Sequence, residues 1–109
     1  MSRILVTGGM GRRGNEKVKQ LLKAGHEVVV LDDLSVINGK RTSVVYVDEF
    51  VNGSVTDREL VSALVNSVDG VWNFAKSNSK DAFELWDVNM TGCFNVEQYA
   101  TQYDKKYNA

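Results

Sequence analysis

A short apolar run that breaks into glycines constrains this chain more than any other feature. Ile4-Leu5-Val6 reads as a buried strand, and glycines follow at positions 8, 9, 11 and 14. A helical pattern comes next, with Val18, Leu21 and Leu22 on one face and Lys17, Lys19, Gln20 and Lys23 elsewhere. Strand, glycine turn and helix together form the context that a phosphate-binding loop requires. Glycine lacks a Cβ, so the backbone can turn tightly and approach a ligand closely. The first N–H groups of the helix have no intrahelical acceptor and point at the loop, where the helix dipole adds positive potential. Gly8, Gly11 and the backbone of Arg12 and Arg13 are therefore expected at a pyrophosphate.

The next apolar run, Val28-Val29-Val30-Leu31, ends at Asp32. An acidic residue roughly 20 residues beyond such glycines is placed to accept hydrogen bonds from an adenosine ribose. The competing reading of Asp32-Asp33 is turn chemistry at a strand end. Lys40-Arg41, beside the turn signal Asn38-Gly39, reads as a solvated loop. A contact with a cofactor 2′-phosphate is the sharper alternative, and Asp32 opposes it by repulsion. NAD is thus expected over NADP.

Taken in order, the pattern predicts a strand over 3–7, a helix over 12–24 capped by Gly25, and a strand over 27–31 buried on both faces. His26 reads as a loop or cap residue. A β-rich third strand runs from Val44 to Val51. Thr56-Asp57-Arg58-Glu59 reads as a capping box, opening a helix with Leu60, Val61, Leu64, Val65 and Val68 on one face. The fourth strand is Val71 to Phe74, and Ala75 to Lys80 a polar loop. One long helix then runs from Ala82 to about Tyr103, its apolar side marked by Phe83, Trp86, Met90, Cys93, Phe94 and Val96. Tyr99, Tyr103 and Tyr107 recur at four-residue spacing, a stripe that reads as core or subunit contact before a cofactor box. Asp104 to Ala109 are expected to fray. Alternation of this kind implies an α/β fold: a doubly wound, Rossmann-like parallel sheet of about four strands in the order 3-2-1-4 with flanking helices.

With 109 residues the chain is sized for one domain, 1–109. A formal net charge of −1 argues against a chain built for nucleic acid or an anionic membrane. The single Cys93 excludes an intramolecular disulfide, and with one histidine it argues against zinc. No apolar run reaches the length of a membrane span and no signal peptide is visible, so a cytoplasmic protein is expected.

Five ordered segments give the chain a family likeness. Thr7-Gly8-Gly9-Met10-Gly11-Arg12-Arg13-Gly14 is similar to TGGxGFIG. Leu31-Asp32-Asp33-Leu34-Ser35 is similar to LDNLS, and Gly53-Ser54-Val55-Thr56-Asp57 to GDxTD. Asn73-Phe74-Ala75-Lys76 sits where HLAA or HFAG would stand. Asn89-Met90-Thr91-Gly92-Cys93-Phe94-Asn95-Val96 is similar to NVxGTxNV. On these residues the chain resembles the N-terminal part of the extended short-chain dehydrogenases/reductases, the nucleotide-sugar epimerases and dehydratases. The resemblance implies NAD contacts at Gly8, Gly11, Arg12, Arg13, Gly14, Asp32, Asp33, Ser54, Val55, Phe74, Ala75, Lys76 and Asn89. It also implies departures. Arg12-Arg13 replaces the family's Phe-Ile, and the Arg13 side chain must turn to solvent, disturb the loop or pair with the pyrophosphate. Ser54 replaces the adenine-binding Asp, Lys17 an apolar helix residue, and Lys76 a small residue beside the nicotinamide ribose. The catalytic Tyr-x-x-x-Lys lies beyond this chain, so no catalytic residue is assigned.

Two functions follow. One is a module that binds a dinucleotide or another adenine nucleotide without catalysis. The other is a structural or assembly fragment, engineered or decayed, that keeps the fold and binds no cofactor. In either case a homo-oligomer is expected, most simply a two-fold dimer, through the last helix, an exposed fourth-strand edge or exchange of the helix between chains. A monomer whose last helix folds over that edge is the alternative.

Overall fold

A computed structural model describes residues 2–34, 47–76 and 80–109. Its centre is a fully parallel sheet of five strands: β1 (Arg3–Thr7), β2 (Glu27–Asp32), β3 (Glu49–Asn52), β4 (Gly70–Asn73) and β5 (Lys106–Asn108). Their order is β3-β2-β1-β4-β5. Leu5 lies opposite Val29 on β2 and Val71 on β4, which fixes the register of the three inner strands. The order 3-2-1-4 expected from the sequence is present, with one strand added at its end.

Strand periodicity divides the core in two. Val6, Val28 and Val30 face α1 (Arg12–Lys23), whose Val18 packs on them. Leu5, Val29, Leu31 and Val71 face the opposite side, under α2 (Arg58–Asn66) and α4 (Cys93–Gln102). This two-sided burial is why β2 is apolar at four consecutive positions. Each fully buried valine contributes roughly 1.5–3 kcal/mol of apolar transfer.

Both ends of α1 follow the sequence reading. Gly11 is its N-cap, and Gly25 takes φ +88° beyond its C-terminus. His26 donates its N–H to the Leu21 carbonyl at 3.1 Å and Gly25 to that of Leu22 at 3.0 Å, closing a Schellman motif. The His26 ring accepts from the Ser2 N–H at 3.1 Å, a structural role.

Four expectations need correction. The described part of the third strand begins at Glu49, because Asp48 turns its carboxylate onto the Val28 N–H at 2.8 Å before the ladder starts. The expected residues 44–46 lie outside the described residues. The N-cap of α2 is Asp57, whose carboxylate accepts from the Leu60 N–H at 3.2 Å; Thr56 is engaged with Ser54 instead. No Thr56–Glu59 capping box forms.

The third correction concerns the last helix. It runs as α3 (Ala82–Trp86), a π-helical stretch at Asp87–Gly92 and α4. Its buried face is Val88, Gly92, Asn95, Val96 and Ala100, while Phe83, Trp86, Met90 and Phe94 are exposed. The face toward the sheet has to be small, since a Cβ on Gly92 would lie 2.3 Å from Val55 Cγ2. Asn95 Nδ2 also donates to the Val55 carbonyl at 3.1 Å.

The fourth concerns the C-terminus. Residues 106–108 do not fray but pair with β4, Tyr107 opposite Val71. The edge expected to be open at β4 is therefore covered by β5, neither left free nor closed by the helix. Tyr107 leaves the tyrosine stripe for this strand, and Tyr99 and Tyr103 remain stacked at 5.9 Å.

Candidate functional site

The site is built where β1 ends. Thr7 is fully buried, and its Oγ1 accepts from the N–H groups of Phe74 at 3.2 Å and Ala75 at 3.3 Å. It also hydrogen-bonds to Asn73 Oδ1. The loop after β1 and the segment after β4 are thereby tied into one rim. Gly8 adopts φ +68° and packs so closely that a Cβ would fall 2.7 Å from the Phe74 carbonyl carbon. Gly14 is tighter still, since its Cβ would lie 2.1 Å from the Gly8 oxygen. These two positions admit glycine alone.

The N–H of Gly8 donates to Leu31 at 2.8 Å and that of Gly11 to Gly8 at 3.1 Å. Arg12 and Arg13 then form the first turn of α1. That turn has no side-chain cap and no acidic residue, an arrangement that suits an anion at the helix start. Both arginine side chains are exposed. The Arg13 guanidinium lies 5.8 Å from the centroid of the Phe74 ring, and the glycine loop is undisturbed. Lys17 lays its ammonium 4.0 Å over Trp72, which itself stacks on Phe74 at 6.0 Å. The apolar helix residue expected there is replaced by a cation–π contact.

Asp32 is buried, and each carboxylate oxygen holds a backbone N–H: Met10 at 2.8 Å and Leu34 at 2.7 Å. It pins the glycine loop from β2 and keeps further acceptor capacity, because an ionised carboxylate offers about four lone-pair sites.

These elements enclose a cavity of about 180 Å³. Gly8, Gly11, Arg12, Arg13, Gly14, Asp32, Asp33, Val55, Phe74, Ala75 and Lys76 all line it. Two residues expected there do not. The Ser54 hydroxyl is bound to Thr56, accepting from its N–H at 3.1 Å and sharing a 2.8 Å hydrogen bond with its Oγ1. Asn89 sits in the π-helical stretch, outside the lining. Leu31, Gly53 and Val88 complete the wall. Sequence reasoning missed them, and only the position of Leu31 and Gly53 beside recognised segments could have found them. Lys40 and Arg41 lie outside the described residues. No group of metal-ligating side chains occurs among the described residues. The arrangement suits anion and ribose binding.

No helix of the described residues is long and apolar enough to cross a membrane. The model of the NAD dependent epimerase/dehydratase family matches residues 4–108. UDP-glucose 4-epimerase of Lacticaseibacillus casei is 34% identical over 110 residues, covering 94% of this chain and 33% of that protein. The Bordetella bronchiseptica enzyme WbmH, solved in complex with NAD+, superposes with a TM-score of 0.82 at 28% identity, over 95% of this chain and 36% of that one. Thermus thermophilus UDP-glucose 4-epimerase, solved in complex with NAD, superposes with a TM-score of 0.77 at 32% identity, over 94% and 34%. This chain thus spans about a third of the length of the curated relatives it matches. It belongs to the NAD dependent epimerase/dehydratase family.

Proposed function

We propose that this chain is a single, cytoplasmic Rossmann-like module that binds NAD and does not catalyse turnover by itself. One observation carries the reading: the glycine loop, the uncapped start of α1 and Asp32 line the same cavity. The pyrophosphate would lie over Gly8, Gly11 and the first-turn N–H groups, and the adenosine ribose would meet Asp32. The solved relatives that hold NAD support it. No tyrosine of this chain has a lysine four residues on, the spacing that the family's catalytic pair uses. Calorimetric titration of NAD and NADP tests the proposal. NAD is expected to bind more tightly, because a 2′-phosphate would face the Asp32 carboxylate, and Asp32→Ala should weaken it markedly. Equal affinity, or tighter NADP, overturns the assignment.

The same reading includes a two-fold homodimer through the outer face of α3 and α4. An assembly fragment without cofactor is the second reading. It is favoured by that apolar face and by Ser54, whose hydroxyl is engaged away from the cavity.

A further inference from the structure

We propose that Arg12, Arg13 and Lys76 make this cavity a receptor for a terminal polyphosphate, so that adenosine di- and triphosphates bind it more tightly than NAD does. The proposal rests on the reading of the cavity as an adenine-nucleotide site and names the ligand class it prefers.

Charge placement is the first argument. The chain carries a net −1, yet three cationic side chains line this one cavity against two acidic ones. The acids, Asp32 and Asp33, stand at the end of β2, on the ribose side. The cations stand at the start of α1 and beyond β4. Among the described residues the salt bridges are those of Arg3 with Glu27 and Glu49. Arg12, Arg13 and Lys76 therefore bring their charge to the cavity unneutralised.

The second argument is local conflict. The first turn of a helix favours acidic side chains, because the dipole is positive there. Here the first two helical residues are both arginine and no acid compensates. A placement that opposes its local field is expected where function requires it. A polyanion at this point would satisfy the N–H groups, the dipole and both guanidinium groups together.

Direction gives the third. Gly8 abuts Phe74 and Ala75, so a phosphate chain leaving α1 along Gly8 arrives at Lys76. At that position a terminal phosphate is attracted to the ammonium, whereas the oxidised nicotinamide ring is itself a cation and is repelled.

Calorimetry with AMP, ADP, ATP and NAD, without magnesium and at low salt, tests the inference. Affinity is expected to rise at least five-fold with each added phosphate, with ATP at least ten-fold tighter than NAD. Arg12→Gln with Arg13→Gln should flatten the series, and Lys76→Gln should remove the step from ADP to ATP. Circular dichroism confirms that these surface variants fold. A flat series with NAD tightest, or one unchanged in the variants, overturns this inference and leaves the NAD module standing. Failure of all four nucleotides to bind overturns both.

Discussion

Asn73 donates its side-chain amide to the hydroxyl of Tyr107 at 3.0 Å, joining the strand that ends at the cavity to the last strand of the chain. The link continues on both sides. Asn73 Oδ1 is bound to Thr7 Oγ1, which accepts from Phe74 and Ala75 at the cavity rim. The Tyr107 hydroxyl also lies 3.5 Å from Cys93 Sγ on α4. A polar chain thus runs from the glycine-loop side of the sheet to β5. Tyr107→Phe should cost about 1–3 kcal/mol in urea unfolding, because it leaves the buried Asn73 amide without its partner.

Titration of the same phenol gives a pH signature. Burial pushes the Tyr107 phenol up from the usual 10 to about 12. Below pH 10 it is neutral in folded and unfolded chains alike. Between about 10 and 12 the unfolded chain ionises while the folded one does not, so stability falls as pH rises through that window. Thermal unfolding from pH 9 to 12 should show the loss, and Tyr107→Phe should show less of it. Equal slopes in the two proteins would separate Tyr107 from the effect.

Asp104 sits at φ +56°, past the end of α4. Its N–H donates to the Thr101 carbonyl at 3.2 Å and that of Lys105 to Ala100 at 2.7 Å, a Schellman motif with aspartate where glycine is favoured. Asp104→Gly should raise stability by about 0.5–1 kcal/mol by removing a left-handed side chain. A lower denaturation midpoint would mean that the aspartate side chain matters more than the backbone strain.

These two helix ends show what was legible in the sequence. Gly25 marked the end of α1, and the same turn at Asp104 carried no glycine, so the return of the chain into β5 was hidden and three residues of strand were read as a frayed end. The strands β1, β2 and β4 are visible because burial on both faces leaves adjacent apolar residues at their centres, Ile4 to Val6, Val28 to Leu31 and Val71-Trp72. The glycine loop and Asp32 were legible for the same kind of reason, as steric and charge requirements leave few residue choices there. In the last helix side-chain size does not track burial. Its large apolar side chains are outside, and its contact face is set by Gly92 and Asn95, whose fit against Val55 exists only in three dimensions. Val88 reaches the cavity through tertiary packing, whereas Leu31 and Gly53 open segments already recognised in the sequence.

Gly14→Ala tests the loop directly. The new Cβ would meet the Gly8 carbonyl oxygen at 2.1 Å, and backbone on backbone cannot yield as a flexible side chain can. The loop must move away from the start of α1. Stability should fall by about 1–3 kcal/mol, and nucleotide affinity should fall further than stability alone explains. A variant with wild-type affinity would remove the loop from the binding site.

The proposed dimer rests on the outer face of α3 and α4. Phe83 is 88% exposed, Trp86 64%, Phe94 63% and Met90 53%. The proposed dimer would bury these apolar side chains, and β5 covers the fourth-strand edge that would offer a competing route. The face is also acidic in surroundings: Asp81, Glu84, Asp87, Glu97 and Asp104 fall in a stretch with no lysine or arginine between Lys80 and Lys105. A two-fold interface sets a patch against itself, so like charges meet around an apolar centre. Screening then favours association, and the dimer should tighten as salt rises from about 0.05 to 0.5 M, where the Debye length shortens to a few ångströms. Sedimentation equilibrium at tens of micromolar measures this. Trp86→Ala with Phe94→Ala should give a monomer at every salt concentration. A monomer mass for the unmodified chain throughout would refute the dimer, and a dimer that survives the double substitution would remove this face as its cause.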